Sequence, residues 1–133
     1  MTQLLRFSLK PPQRDSGTPP YEYMCTKFID EVRECLSNGG ALKIVDDIEE
    51  IEDSQFLVAY EERIFVVDTD FQVGEYFTDY AACGLARDFA LGSFYSTESG
   101  TLPPRGRVGM ALRSAEEFSS TVRSPFIIKQ LKY

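Results

Sequence analysis

Apolar and polar positions along the chain set out its elements. Met24, Phe28, Val32, Cys35 and Leu36 recur at helical spacing, which predicts a helix over about 21–37 with one buried face. Asn38-Gly39-Gly40 stops it. Upstream, TQLLRF (2–7) reads as one or two helical turns. SLKPPQRDSGTPP (8–20) reads as a loop, because its four prolines forbid regular structure and Pro11 pushes Lys10 away from helical angles. Thr18 is placed to cap the next helix, with prolines in the first turn.

After the helix the period changes. Ala41–Val45 is a short apolar strand, and DDIEEIED (46–53) carries six acids in eight residues. We read 46–54 as a solvated acidic loop, since the order of acids and the missing turn glycine do not fit a calcium loop. QFLVAY (55–60) and RIFVVD (63–68) form a hairpin around Glu61-Glu62, although that pair lacks the usual Asn-Gly chemistry. Tyr80–Cys83 is a further strand, ended by a turn at Gly84. LARDFALGSFY then reads as helix, with Phe89, Ala90, Leu91 and Phe94 inward. STESGTL (96–102) is a loop. Pro103-Pro104 opens another helix, in which Val108, Ala111, Leu112, Ala115, Phe118 and Val122 keep helical spacing until Pro125. FIIKQL (126–131) is the last strand. Hairpins with helices grouped in pairs predict an α+β fold in a single domain, 1–133.

Composition narrows the function. A net charge of −7 argues against nucleic acid and against an anionic membrane surface as partners. No apolar run approaches the roughly 18 residues of a membrane span, and no secretory signal pattern opens the chain. Cys25, Cys35 and Cys83, odd in number and without a CxxC pair, read as free thiols of a reducing cytoplasm. The chain has no histidine, which removes His-based triads and the usual zinc sites. No cofactor or metal is implied. Met1 is followed by Thr2, and removal of the methionine would leave a hydroxyl beside a free α-amine, the minimal kit of an N-terminal nucleophile. Nothing in the spacing of Lys10 or Lys43 makes either its partner; both read as solvated. After Gly84 the next glycine is Gly92, so no phosphate-binding glycine motif is present.

YAACGLARDFALGSFY is the most informative segment. Its strand, glycine turn and Phe89-Ala90-Leu91 helix resemble the late part of proteasome β-subunit-type and HslV-type hydrolases. FLVAYEERIFVVDTDFQVGEYFTDYAACG resembles that family's central hairpin and following strand. PPRGRVGMALRSAEEFSSTVRSPFIIKQL resembles its last long helix and closing strand. The order of the QLLRF, PP-rich, YEYM and DFQVG segments is most similar to small proteasome-like proteins of phages and prophages.

The resemblance implies an αββα sandwich of two stacked sheets, of which this chain carries a part. It implies that the nucleophile strands precede the QLLRF helix, so that Thr2 is not at the nucleophile's place. The family's serine or cysteine in the Gly-Ser-Gly-like turn corresponds to Leu85 and the second glycine to Ala86; Leu85 has no hydrogen-bonding group and reads as a packing residue. No residue of this chain is therefore assigned a catalytic, cofactor-binding or metal-binding role. Sheet partners left uncovered invite another chain, either a second copy or a companion supplying the missing strands. Gly106 and Gly109 either permit close packing against the Phe89–Phe94 helix or mark a frayed turn.

Three functions remain open on these grounds. One is a non-catalytic interaction or assembly protein, whose acidic surface suits a basic protein partner. Another is the later part of a threonine or serine amidohydrolase completed by a separate or omitted N-terminal segment. The third is an unrelated small α+β binding domain.

Overall fold

The computed structural model describes residues 1–51 and 55–131. It is an α+β structure whose described residues fall in two compact units, one from Met1 to Asp79 and one from Tyr80 onward. The first holds α1 (Thr2–Phe7), α2 (Pro20–Tyr23), a π-helical turn (Met24–Phe28), α3 (Ile29–Asn38) and five strands. The strands are β1 (Leu42–Val45), β2 (Ile48–Ile51), β3 (Phe56–Tyr60), β4 (Arg63–Val67) and β5 (Val73–Tyr76). The second holds α4 (Arg87–Ser96) and α5 (Pro104–Phe118).

The helical face expected from the sequence is the buried one. Met24, Phe28, Val32, Cys35 and Leu36 are all buried along 20–38, joined by Tyr23 and Ile29. All of these but Cys35 pack with Ile51, Phe65, Val67 and Phe71 into one core. Thr18 does not cap this helix. The cap position is Pro19, and Thr18 instead gives its carbonyl to Arg14. Arg14 also reaches Tyr60 Oη at 3.3 Å and Glu61 at 2.7 Å. Tyr23 Oη donates to the Pro12 carbonyl at 2.6 Å. The proline-rich loop is thus held by side chains, because its prolines cannot offer ladder hydrogen bonds.

Both hairpins close through two-residue turns with positive φ at each position: 50° and 64° at Asp46 and Asp47, 48° and 61° at Glu61 and Glu62. This is the turn geometry that matches strand twist, and it is built here without glycine. At Asp46-Asp47 it converts part of the expected acidic loop into strand. Ile48–Ile51 pairs antiparallel with Leu42–Val45, and Ile51 is fully buried. Counting acids concealed this strand, since only its two isoleucines carry the apolar signal. Residues 52–54 of the expected loop lie outside the described residues.

The larger sheet has the order β3-β4-β5. Strand β5 was not expected from QVGEY because Gly74 interrupts the pattern. Gly74 lies opposite Val66, and a Cβ there would come 3.1 Å from Val66 Cγ1, so the glycine allows close approach of the two strands. Tyr80–Cys83, expected as a strand, forms none, and neither does 126–131.

In the second unit α4 and α5 pack as a helical hairpin around Phe94, Ala111 and Ala115. Tyr80 stacks on Phe94 at 5.2 Å. Arg107 lies over both rings and donates to the Phe94 carbonyl at 2.9 Å, which also accepts from Thr97 at the end of α4. Helix α5 stops at Phe118, seven residues before Pro125. Arg123 donates to the Glu116 and Ser119 carbonyls, and Glu116 accepts from Ser124 N–H, so side chains complete this end. Gly106 and Gly109 do not pack on α4. A Cβ at Gly106 would meet Pro103 and Leu102, and one at Gly109 would meet Ile128 at 3.9 Å.

Candidate functional site

Sheet β3-β4-β5 has two apolar faces. Register places Phe56, Val58, Phe65, Val67 and Val73 on one, where they join the core. Arg63 and Glu75 close the end of that face with an ion pair at 2.5 Å, beside Phe65. The other face carries Leu57, Ala59, Ile64, Val66 and Tyr76, none of which belongs to the core. Leu57 and Ala59 are exposed and the others half-buried. An antiparallel sheet that meets water on one face normally alternates apolar with polar residues. This one does not, which is the pattern of a sheet with a layer on each side.

The residues considered for chemistry are scattered. Thr2 is exposed on α1, in a shallow surface depression lined by Met1, Gln3, Leu4, Phe7 and Ser8. No ionisable side chain lies among these neighbours. Lys10 is exposed and Lys43 half-buried. Gly84 adopts φ of 95°, the conformation for which a glycine was expected before α4. Leu85 was expected to pack and does not. It is 89% exposed, because the turn at Gly84 points it outward while Ala86 takes the buried place. Phe89, expected inward, is half-exposed and lies 5.7 Å from the Phe118 ring. With Met110 these two line an open groove between α4 and α5, with Asp88, Arg113 and Glu117 on its rim. Among the described residues no group of His, Cys, Asp and Glu is gathered to hold a metal.

None of Cys25, Cys35 and Cys83 is in a disulfide. Cys25 is exposed, whereas Cys35 is buried and burial raises its pKa, as it does for Cys83. In native protein at neutral pH, Cys25 is therefore expected to react with a thiol reagent first, and Cys35 only after unfolding. A folded pKa raised above the unfolded one gives stability that is present below the ordinary thiol range and lost as pH climbs through it. Glu61, held down by its hydrogen bond from Arg14, acts in the opposite direction: its contribution is lost as pH falls below the ordinary carboxylate range. Timed alkylation with mass detection and a pH series of thermal melts check both.

No protein-family model matches the chain, and no curated protein does. Solved structures do. The fold is similar to that of Thiobacillus denitrificans BPH. The structure of that protein in complex with epoxomicin has a TM-score of 0.64 at 20% identity, covering 93% of this chain and 63% of BPH. A second BPH structure gives 0.63 at 21% identity with the same coverage. Epoxomicin is a proteasome inhibitor, so these neighbours point to a proteasome-like fold. The chain spans less than two thirds of the length of BPH.

Proposed function

We propose that this chain is an interaction and assembly protein on part of a proteasome-like αββα sandwich, non-catalytic by itself. The observation that carries the reading is the second apolar face of β3-β4-β5, formed by Leu57, Ala59, Ile64, Val66 and Tyr76. In this reading it receives the second sheet of the sandwich from a strand-bearing companion polypeptide. A phage or prophage origin belongs to the same reading and rests on the order of sequence motifs alone.

A second reading is favoured by one observation, the epoxomicin held by a structure that matches nearly all of this chain. In it, the completed assembly is a threonine or serine amidohydrolase whose nucleophile comes from the companion, and this chain supplies framework.

The test is a photo-crosslinking amino acid incorporated in place of Ala59, an exposed position on the outer face, in protein produced in its natural source. The expected product is a crosslink to a strand-rich polypeptide. Crosslinks confined to the chain itself would count against the proposal. The isolated chain is expected neither to cleave fluorogenic peptides nor to form an adduct with epoxomicin; an adduct at Thr2 would overturn the non-catalytic assignment.

A further inference from the structure

The two edges of sheet β3-β4-β5 differ in what guards them. Asp68 N–H donates to the Gln72 carbonyl at 2.9 Å, one step beyond the Val67–Val73 pair. Hydrogen-bonded and open pairs alternate along an antiparallel ladder. On β4, Ile64 and Val66 therefore bond toward β5, while Arg63, Phe65 and Val67 bond toward β3. The backbone groups left pointing outward are those of Val73 and Glu75 on β5 and those of Leu57 and Ala59 on β3.

The β5 edge is guarded: Tyr21 Oη donates to the outward Val73 carbonyl at 3.1 Å. The β3 edge is bare. Among the described residues no further strand pairs with it, and no hydrogen bond from outside the ladder reaches Leu57 or Ala59. The Arg14 contacts stop at Tyr60 Oη and Glu61. FLVAY carries none of the devices that blunt an edge, neither a charge nor a proline, and its register with β4 runs without a bulge. A neutral strand of this composition is a template for another strand.

That edge is its own complement. Turned antiparallel onto a second copy, Phe56–Tyr60 overlaps along its whole length in one register, with Val58 opposite Val58 of the second copy. In that register Leu57 stands opposite Ala59, so every outward N–H meets an outward C=O. On the outer face each leucine lies beside an alanine, a large residue against a small one. On the inner face Phe56 meets Tyr60 and Val58 meets Val58, the aromatic and β-branched pairs that stabilise neighbouring strands. No charge enters any of these pairs.

We propose that β3 pairs antiparallel with β3 of a second copy about a two-fold axis at Val58, joining two three-stranded sheets into one continuous sheet. The contact is isologous and closes at the dimer. It uses the edge of the sheet and not its outer face, so it stands or falls apart from the companion proposed for that face.

The test is sedimentation of the full chain, alone, over a range of concentrations in low and high salt. A reversible monomer–dimer equilibrium is expected. It strengthens with salt, because residues 1–79 carry seventeen Asp and Glu against seven Lys and Arg and the pairing brings two such units together. Ala59→Pro removes an outward N–H that the β4 ladder does not use, and is expected to abolish the dimer. Leu57→Lys and Leu57→Glu are each expected to weaken it about tenfold or more, since the two copies of position 57 lie diagonally across the pair. An equimolar mixture of these two variants is expected to recover it. Hydrogen exchange gives an independent readout. The amides of Leu57 and Ala59 gain protection as concentration rises, while those of Val58 and Tyr60, bonded to β4, are protected throughout. Circular dichroism confirms that each variant is folded; should Ala59→Pro not fold, the charged pair decides. A chain that stays monomeric overturns the proposal. So does association undiminished in the folded variants, association without protection at positions 57 and 59, or a mixture that recovers nothing.

Discussion

Phe65→Ala is expected to destabilise the chain by about 3–5 kcal/mol, a large share of a typical domain's stability. Phe65 is fully buried on the central strand, with Tyr21 stacked 6.4 Å away and the Arg63 guanidinium over its ring. Its loss leaves a cavity that the sheet and helix together cannot close. Leu57→Ala, on the neighbouring strand but the opposite face, is expected to cost about 1 kcal/mol or less, because its side chain already meets solvent. Urea unfolding of the two variants measures both values in the same sheet. Equal large losses would mean that the outer face is as well packed as the inner one, and the proposed docking surface would then have no room for a partner.

The other large effect concerns assembly. Leu57→Asp is expected to leave the isolated chain folded, with the modest loss that aspartate brings to a strand. In the completed sandwich it would bury an unpaired carboxylate between two apolar layers. That penalty is roughly 3 kcal/mol or more, over a hundredfold in affinity. The crosslink from position 59 should therefore disappear in this variant while its far-ultraviolet spectrum stays that of the parent. A crosslink of undiminished yield would place the companion somewhere other than this face.

The similarity to BPH bears on these expectations through the fold alone. At 20% identity it carries the path of the chain, not a set of working residues. What makes the outer face a candidate site is its own composition. Five apolar or aromatic side chains there lie where a solvated sheet would carry polar ones. Reading the strands one at a time does not reveal this. Each of QFLVAY and RIFVVD is a nearly continuous apolar run, which signals burial without saying on which side or by what.

Several features were settled by sequence. Helical spacing of Met24, Phe28, Val32, Cys35 and Leu36 is enough to name the buried face, because a 3.6-residue period has only one side to offer. The hairpin at Glu61-Glu62 follows from two apolar runs separated by two polar residues, and the glycine turn before α4 follows from Gly84. Other features depend on contacts distant in sequence. IEEI is a strand only because Leu42–Val45 lies beside it and Ile51 reaches the core. VGEY is one only because Gly74 lets β4 approach. Conversely, FIIKQL has strand composition but no strand beside it among the described residues, since a strand is defined by a partner's hydrogen bonds and not by its own residues. Leu85 shows the same limit at a single position: an apolar side chain favours burial, but the backbone turn at Gly84 decides which way it points.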